Sequence, residues 1–183
     1  TELEQEEEVG KQLILIVDDS EFNRALLAEM LRKDFSIMEA SSSEACLEAL
    51  QQYGTGISLV LLDIVMPVMD GFEVLSYMNR NHTIEDLPVI MISSEDSETF
   101  IRQAYEMGAS DYVSRPFDAK VVYRRVTNNI KLYAKQRRLI RIVTEQIRER
   151  EEKVSMLVGV LSQIVEFRNG ESGLHVKHIQ RFT

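Results

Sequence analysis

Residues 57–62 form an apolar run, broken only by Ser58, that ends abruptly at Asp63. An apolar segment without polar alternation is typical of a strand buried on both faces of a parallel sheet. In open α/β sheets the active site lies at the carboxyl ends of such strands. Asp63 alone could simply end a strand, but a second apolar run, residues 13–17, ends in the same way at Asp18 and Asp19. Together the two endings predict an acidic site at one edge of a sheet.

Apolar and amphipathic segments alternate five times along the chain. The predicted strands are residues 13–17, 36–40, 57–62, 87–94 and 111–114, and the predicted helices begin near residues 21, 43, 71, 96 and 118. Ser20 is placed to cap the first helix and Gly108 to end the fourth. This alternation predicts an α/β fold with a five-stranded parallel sheet in the order 2-1-3-4-5 and helices on both faces.

The predicted strand order brings several polar side chains to one place. Asp18, Asp19 and Asp63 follow adjacent strands, and three neighbouring carboxylates repel one another unless a cation joins them. A hard divalent ion such as Mg²⁺ prefers oxygen ligands of this kind. One carboxylate would then be able to attack phosphorus and form an aspartyl phosphate. Ser93 could hydrogen-bond a phosphoryl oxygen and Arg115 could neutralise its charge, which predicts a phosphoryl-transfer site.

Cysteine content and hydropathy restrict the cellular setting. The single cysteine, Cys46, excludes an intrachain disulfide and fits a reducing compartment. No apolar run approaches the roughly 18–20 residues of a membrane span, and no signal peptide opens the chain. We therefore expect a cytoplasmic protein without membrane contact, in which Cys46 is a small buried or half-buried thiol. Because the chain starts at Thr1 and not at Met, we also expect it to be part of a longer protein.

The chain changes character near residue 130. Residues 1–130 carry 10 Lys and Arg against 24 Asp and Glu, a net charge of −14, whereas residues 131–183 carry 11 against 6, a net charge of +5. From residue 122 onward, positions in alternating steps of four and three form a seam, of which ten in thirteen are apolar or aromatic. A period of 3.5 residues is typical of a coiled coil, so we expect a parallel homodimer through residues 122–165. The seam consists of Val122, Val126, Asn129, Tyr133, Gln136, Ile140, Val143, Ile147, Arg150, Val154, Leu157, Leu161 and Ile164.

Two other interpretations of this helix are open. It could fold back against its own α/β domain, or the basic residues at its start could bind nucleic acid. Glutamates follow these basic residues closely, and no helix-turn-helix follows. A solvated coiled-coil face therefore explains the charges better, and no direct nucleic-acid binding is expected. The basic residues are Lys131, Lys135, Arg137, Arg138 and Arg141, and the glutamates are Glu145, Glu149, Glu151 and Glu152.

Four motifs in residues 13–130 resemble the receiver (CheY-like) domain of two-component response regulators. They are Asp18-Asp19, Asp63-x-x-Met66-Pro67-x-Met69-Asp70-Gly71, Leu87-Pro88 leading to Ser93, and Gly108-Ala109-Ser110-Asp111-Tyr112-Val113-x-x-Pro116-Phe117. The resemblance implies a CheY-like fold, Mg²⁺ as the cofactor, and a histidine kinase or phosphotransfer protein as the phosphoryl donor. By the same resemblance Asp63 is the phosphoacceptor, and Asp18, Asp19, Asp63 and the backbone carbonyl of Val65 bind Mg²⁺.

The resemblance also assigns the remaining polar positions of the site. Ser93 and Tyr112 match the switch pair of the family, in which the hydroxyl moves toward the phosphoryl group and the aromatic ring turns inward. Arg115 departs from the family pattern, which has lysine before Pro-Phe. A planar guanidinium and a compact ammonium are not interchangeable. Arg115 is therefore either a tolerated variant that still reaches the phosphoryl group, or a cause of altered phosphorylation, dephosphorylation or switching.

The heptad pattern breaks after residue 166, and the next residues resemble the start of an HD-GYP phosphohydrolase domain. That family often has Arg-Asp-x-x-Thr-Gly-x-His, and here Asn169 replaces the aspartate and Ser172 the threonine. Glu171 and His175 lie one helical turn apart and could face one metal. The resemblance implies that they bind an output-domain metal such as Fe or Mn in the full-length protein, where members of this family hydrolyse cyclic di-GMP. An ordinary Gly-containing turn with a surface histidine is the alternative.

These observations predict four segments: an acidic mobile lead (1–12), a receiver domain (13–130), a coiled-coil dimerisation helix (131–166) and the start of an HD-GYP-like output domain (167–183). The predicted function is that of a response regulator that catalyses its own phosphorylation and controls a metal-dependent cyclic di-GMP phosphodiesterase. Two alternatives stay open: an interaction scaffold with impaired switching, and a different output such as a diguanylate cyclase or a serine phosphatase. A self-contained aspartyl-phosphate phosphatase is disfavoured, because Val65 occupies the position where its general acid is expected.

Overall fold

The computed structural model describes residues 11–94 and 98–179, and it describes side chains as far as residue 168. The first ten residues, most of the expected acidic lead, lie outside the described residues. Within these ranges the strands are β1 (Leu13–Val17), β2 (Ser36–Ala40), β3 (Ile57–Asp63), β4 (Val89–Ser93) and β5 (Asp111–Ser114). The α-helices are α1 (Glu21–Leu31), α2 (Ser43–Tyr53), α3 (Gly71–Arg80), α4 (Glu98–Glu106) and α5 (Ala119–Ile179).

The five strands are parallel and lie in the order β2-β1-β3-β4-β5. The predicted α/β fold and strand order are therefore confirmed. Every residue of β4 is buried, and so are nearly all residues of β1 and β3, as expected of central strands with helices on both faces. The edge strand β2 is mostly exposed or half-buried, which explains its weak apolar pattern. The carboxyl ends of all five strands meet at one edge of the sheet.

Two apolar cores cover the two faces of the sheet, because successive strand residues point to opposite sides. Ile14 and Ile16 belong to the core that includes α1 and the first part of α5. Leu15 and Val17 belong to the core on the other face, which includes α2 and α3. Cys46 lies in this second core and is fully buried, as expected from the sequence. Burial raises the pKa of its thiol to about 12, so it is a packing residue.

The first part of the seam, residues 122–129, does not form the expected dimer interface. Val122 and Val126 are fully buried in the core against the sheet, and Asn129 is buried beside them. The Asn129 amide donates hydrogen bonds to Asp111 and to the backbone carbonyl of Arg125. These side chains are not available to a partner, so the expectation of a homodimer interface starting at residue 122 is wrong for this part. A helix packed on its own sheet and a coiled coil share nearly the same apolar period, and the sequence did not separate them.

Beyond this part, α5 presents its side chains to solvent. Every residue from 137 to 168 is exposed. The chain divides into two compact units, Thr1–Gln136 and Arg137–Thr183. The helix continues to Ile179, so the apolar pattern that breaks after residue 166 does not end the helix there. Among the described residues, no helix is both long enough and apolar enough to span a membrane.

Candidate functional site

The carboxyl ends of β1 and β3 bring three acidic side chains together. Asp18 directly follows β1, Asp19 comes next, and Asp63 is the last residue of β3. One carboxylate oxygen from each lies within 4.8 Å of the other two. Asp18 and Asp63 are buried, whereas Asp19 is exposed, so the cluster opens to solvent on one side. The structure thus brings together the three carboxylates that the sequence singled out.

Donors from the N-cap and the first turn of α1 hold Asp18 in place. Its Oδ1 atom accepts hydrogen bonds from the Ser20 backbone N–H at 2.8 Å and from Asn23 Nδ2 at 3.3 Å. Arg24 Nη1 donates to the backbone carbonyl of Asp18 at 2.8 Å. The sequence analysis missed Asn23 and Arg24. Since α1 starts only three residues after Asp18, polar residues in its first turn could have been expected to face the site.

The loop after β3 folds back closely onto the end of that strand. The Gly71 N–H donates to the Ile64 carbonyl at 2.9 Å, and a Cβ atom at position 71 would lie 2.3 Å from the Asp63 carbonyl oxygen. Only glycine fits so close to another backbone segment. Asp70 caps the next helix, α3, and forms a reciprocal capping box with Glu73. This loop fixes the backbone that carries Asp63.

Three other predicted site residues, Ser93, Tyr112 and Val65, lie on β4, on β5 and in the loop after β3. Ser93 is the buried last residue of β4, and Tyr112 is buried within β5 with its ring in the core. Val65 is exposed in the loop after β3, and its backbone N–H helps to lower the pKa of Asp63. The proposed metal contact of the Val65 carbonyl and the switch roles of Ser93 and Tyr112 stay predictions.

Arg115 follows β5 and reaches across the site to two carboxylates. Its Nη2 atom lies 2.5 Å from Asp18 Oδ2 and 3.1 Å from Asp63 Oδ2. Burial lowers the pKa of the guanidinium, but the neighbouring carboxylates of Asp63 and Asp18 outweigh burial and raise it. Arg115 therefore stays positively charged. The sequence placed Arg115 beside Asp63 but did not predict its contact with Asp18.

Burial is the main influence on the protonation of Asp63. It raises the pKa of this carboxyl from 3.8 to about 6; the Asp18 charge adds to the shift, and Arg115 opposes it. Asp63 Oδ1 is buried and has no hydrogen-bond partner among the described residues. An ionised carboxylate in this position has lost hydrogen bonds to water, and the protein does not replace all of them.

The donor set fits a hard divalent cation. Three carboxylates face one another, and Arg115 supplies a single positive charge directly between two of them. Mg²⁺ prefers oxygen ligands, and the unpartnered Asp63 Oδ1 is an oxygen of this kind. The acidic cluster is compatible with Mg²⁺ binding. Glu171 and His175, predicted to bind an output-domain metal, lie in the part of α5 whose side chains are outside the described residues.

The comparison with protein families decides how this site is classified. Residues 14–127 match the family described as "Response regulator receiver domain". The chain belongs to the response regulator receiver family. Members of this family take part in two-component signalling, and the acidic cluster of this receiver lies within the matched residues.

Similar proteins match different lengths of this chain. A Vibrio cholerae protein named "Probable cyclic di-GMP phosphodiesterase" is 33% identical over 183 residues, which is 96% of this chain and 41% of that protein. This chain thus spans less than half of that relative. The crystal structure of a two-component system response regulator/GGDEF domain protein matches with a TM-score of 0.64 and 30% identity over 68% of this chain and 51% of that one. The Vibrio cholerae chemotaxis protein CheY4, 22% identical, shares the fold with a TM-score of 0.60 over 65% of this chain and 98% of its own.

Proposed function

We propose that residues 13–130 form a receiver that accepts a phosphoryl group on Asp63 from a histidine kinase or from a phosphotransfer protein carrying phosphohistidine. The observation that carries this proposal is the buried Asp63 carboxylate at the carboxyl end of β3, with the carboxylates of Asp18 and Asp19 close to it. Ser93 and Arg115 stand at the ends of the next two strands, where they would contact the incoming oxygens. The site therefore contains a nucleophile, a cation-binding set and a positive charge.

In the proposed reaction, an oxygen of Asp63 forms a bond to phosphorus while the bond between phosphorus and the donor atom breaks. The leaving group keeps the electron pair of the broken bond. Asp63 must be ionised to attack, and with a pKa of about 6 it is mostly ionised in neutral solution. Mg²⁺ held by Asp18, Asp19, Asp63 and the Val65 carbonyl would neutralise charge on the phosphoryl oxygens. Arg115 and the Ser93 hydroxyl would bind those oxygens through hydrogen bonds.

Incubation with acetyl phosphate and Mg²⁺ is expected to add one phosphoryl group to the protein. Intact-protein mass spectrometry would detect the gain in mass. The Asp63→Asn variant has nearly the same side-chain shape but no nucleophilic carboxylate, so it is expected to gain nothing. Omitting Mg²⁺ is expected to prevent the gain in the wild-type protein.

A folded wild-type protein that gains no phosphoryl group, and that does not bind beryllofluoride, would contradict the proposal. That outcome would favour the alternative of an interaction scaffold that no longer switches. Beryllofluoride binding without a detectable phosphoryl group would instead indicate an aspartyl phosphate that hydrolyses faster than the assay.

We also propose that the exposed part of α5 pairs with the same helix of a second copy as a parallel coiled coil. Seven apolar seam positions on this part are each 50–62% exposed. Such a row of large apolar side chains is normally buried by a partner, and a 3.5-residue period is suited to an identical helix. A monomeric mass by light scattering at micromolar concentration would contradict this proposal. The seven positions are Ile140, Val143, Ile147, Val154, Leu157, Leu161 and Ile164.

For the output of the full-length protein we propose a cyclic di-GMP phosphodiesterase of the HD-GYP type, with Glu171 and His175 among its metal ligands. The relative named "Probable cyclic di-GMP phosphodiesterase" aligns with 96% of this chain, well past the receiver. The GGDEF-containing structure aligns with only 68% of it, so it gives less support to a diguanylate cyclase output. Hydrolysis of cyclic di-GMP by the full-length protein with Fe or Mn tests this proposal.

A further inference from the structure

Arg24, near the start of α1, binds the backbone that carries two of the three clustered carboxylates. Its Nη1 atom donates to the carbonyl oxygen of Asp18 at 2.8 Å and to that of Asp19 at 3.3 Å. Its Nε atom forms an ion pair with Glu39 Oε2 on β2 at 3.2 Å, and the side chain is only 13% exposed. Because the donors of a guanidinium lie in one rigid plane, these three contacts fix its orientation. Arg24 thus connects β2 to the two residues that follow β1.

The peptide group between Asp19 and Ser20 is held at both of its polar ends. Its carbonyl oxygen accepts from Arg24 Nη1, and its N–H donates to Asp18 Oδ1 at 2.8 Å. Because a peptide group is planar, rotating it would break both hydrogen bonds. The two contacts therefore fix the backbone dihedral ψ of Asp19, and with it the direction in which the Asp19 side chain leaves the backbone.

The Asp19 carboxylate depends on this backbone support because no other group holds it. Within residues 11–94 and 98–179 it has no hydrogen bond or ion pair, and it is exposed. One of its oxygens nevertheless lies within 4.8 Å of oxygens of Asp18 and Asp63. Mg²⁺ requires nearly ideal octahedral geometry, so a displaced carboxylate would bind it poorly. The direction of the Asp19 side chain is therefore important for binding the cation.

We propose that Arg24 is a positioning residue of the cation site, which holds the backbone of residues 18–20 so that the Asp19 carboxylate faces the other two carboxylates. Glu39 in turn holds the Arg24 guanidinium. This inference rests on the proposed function, in which Asp18 and Asp19 are ligands of Mg²⁺. Arg24 itself contacts neither the cation nor the phosphoryl group, and it acts through backbone carbonyls alone.

The sign of the effect distinguishes positioning from charge. A guanidinium close to a divalent cation repels it, so charge alone predicts that removing Arg24 would tighten Mg²⁺ binding. The ion pair with Glu39 reduces this repulsion. Positioning predicts the opposite result, weaker binding of Mg²⁺ when Arg24 is replaced, because residues that orient metal ligands commonly contribute tenfold or more to affinity, by about 10- to 100-fold.

Titration with MgCl₂ at fixed ionic strength, followed by the backbone amide NMR signals of the purified protein, tests the proposal. We expect Arg24→Lys to bind Mg²⁺ about tenfold more weakly than wild type, because an ammonium keeps the charge but cannot reach both carbonyls and Glu39 at once. Arg24→Met is also expected to bind Mg²⁺ more weakly, although it removes a positive charge. Arg32→Lys is the matched control and should leave the affinity unchanged. Arg32 lies just after the same helix and contacts Glu29 and the Ala28 carbonyl, away from the site.

The same titration in an Asp19→Asn background, which keeps Asp18 and Asp63 as ligands, separates positioning from a general loss of structure. If Arg24 acts through Asp19, the effect of Arg24→Lys on Mg²⁺ affinity should shrink there to about twofold or less. A loss of stability, measured by thermal melts in EDTA, should be the same in both backgrounds. The Ser20 amide proton should also exchange faster with solvent in Arg24→Lys, because its peptide group has lost the contact at the oxygen.

The outcomes separate this inference from the proposed function. Equal Mg²⁺ affinities of wild type and Arg24→Lys, equal losses in the two backgrounds, or tighter binding by Arg24→Met would each overturn the inference. Binding of Mg²⁺ by the wild type would still uphold the proposed function in these cases, and its failure to bind would overturn both. If Arg24→Lys does not fold, Glu39→Gln carries the test. Glu39 is 43% exposed on the edge strand β2, so its replacement should leave the fold intact, and the resulting loss of affinity should likewise depend on Asp19.

Discussion

Val126→Asp is expected to unfold the receiver, whereas Val143→Asp is expected to leave its melting temperature nearly unchanged and to abolish self-association. Both valines belong to the seam, but Val126 is 0% exposed and Val143 is 53% exposed. An unpaired carboxylate in the core at position 126 should lower the free energy of unfolding by about 4 kcal/mol or more. At position 143 of a single copy, the same carboxylate is solvated. In a parallel pair of helices it would face the carboxylate of the second copy, and the two charges would repel each other.

Thermal melts followed by circular dichroism and masses from light scattering measure the two effects. Val143→Thr, which keeps the branched shape without a charge, is the control for the exposed position and is expected to weaken self-association less than aspartate. Equal loss of stability at the two positions would show that residue 143 is also buried within its own chain. An unchanged oligomeric mass for Val143→Asp would show that the interface between copies does not include position 143.

Asp63→Asn is expected to stabilise the receiver by about 2 kcal/mol in Mg²⁺-free buffer at about pH 7.5. Burial raises the pKa of Asp63 from 3.8 to about 6, so the native state holds its proton more tightly than the unfolded chain. Wild-type stability should therefore fall as the pH rises from about 4 to about 6, and stay lower above that window. The full effect of two pKa units is about 3 kcal/mol, which already includes the opposing effect of Arg115, and the cost of burying the asparagine amide offsets part of it.

Melting curves in EDTA at a series of pH values measure this difference. The gain in stability should nearly vanish at about pH 3, where the wild-type carboxyl is mostly protonated in both states. Asp111→Asn is the matched control. Asp111 forms an ion pair with Arg125 and accepts hydrogen bonds from Tyr105 and Asn129, so its replacement is expected to destabilise the protein. Lower stability of Asp63→Asn at neutral pH would show that Arg115 fully compensates the buried charge.

The sheet and the acidic cluster could be predicted from the sequence because each depends on local sequence patterns. Apolar runs that end in aspartate predicted where β1 and β3 stop, and parallel pairing then brought Asp18 and Asp63 together. The contact of Arg115 with Asp18 did not follow, because the two residues are 97 positions apart and the reach of a side chain is not encoded in a motif. Asn23 and Arg24 were also missed, although they follow Asp18 by only five and six positions and the start of α1 could have indicated them.

The seam shows a different limit of sequence analysis. Val122 and Val126 continue the period of Ile140 and Val143, yet the first pair packs against the sheet and the second pair is exposed. Apolar spacing indicates that a helix face is buried, but not by which partner. A similar limit applies to Val68, which adopts φ = 70° in the loop after β3, although a branched residue rarely takes this conformation and nothing in its local sequence requires it.

The burial of Cys46 has a practical consequence for studying this protein. It is the single cysteine of the chain, and with its pKa near 12 it should resist maleimides and other thiol reagents as long as the protein is native. A cysteine introduced on the exposed part of α5 would then be the one reactive thiol, without prior removal of Cys46. Spin labels attached there in two copies would report by their separation whether the helices run parallel. The rate at which Cys46 itself is modified would measure how fast the protein unfolds.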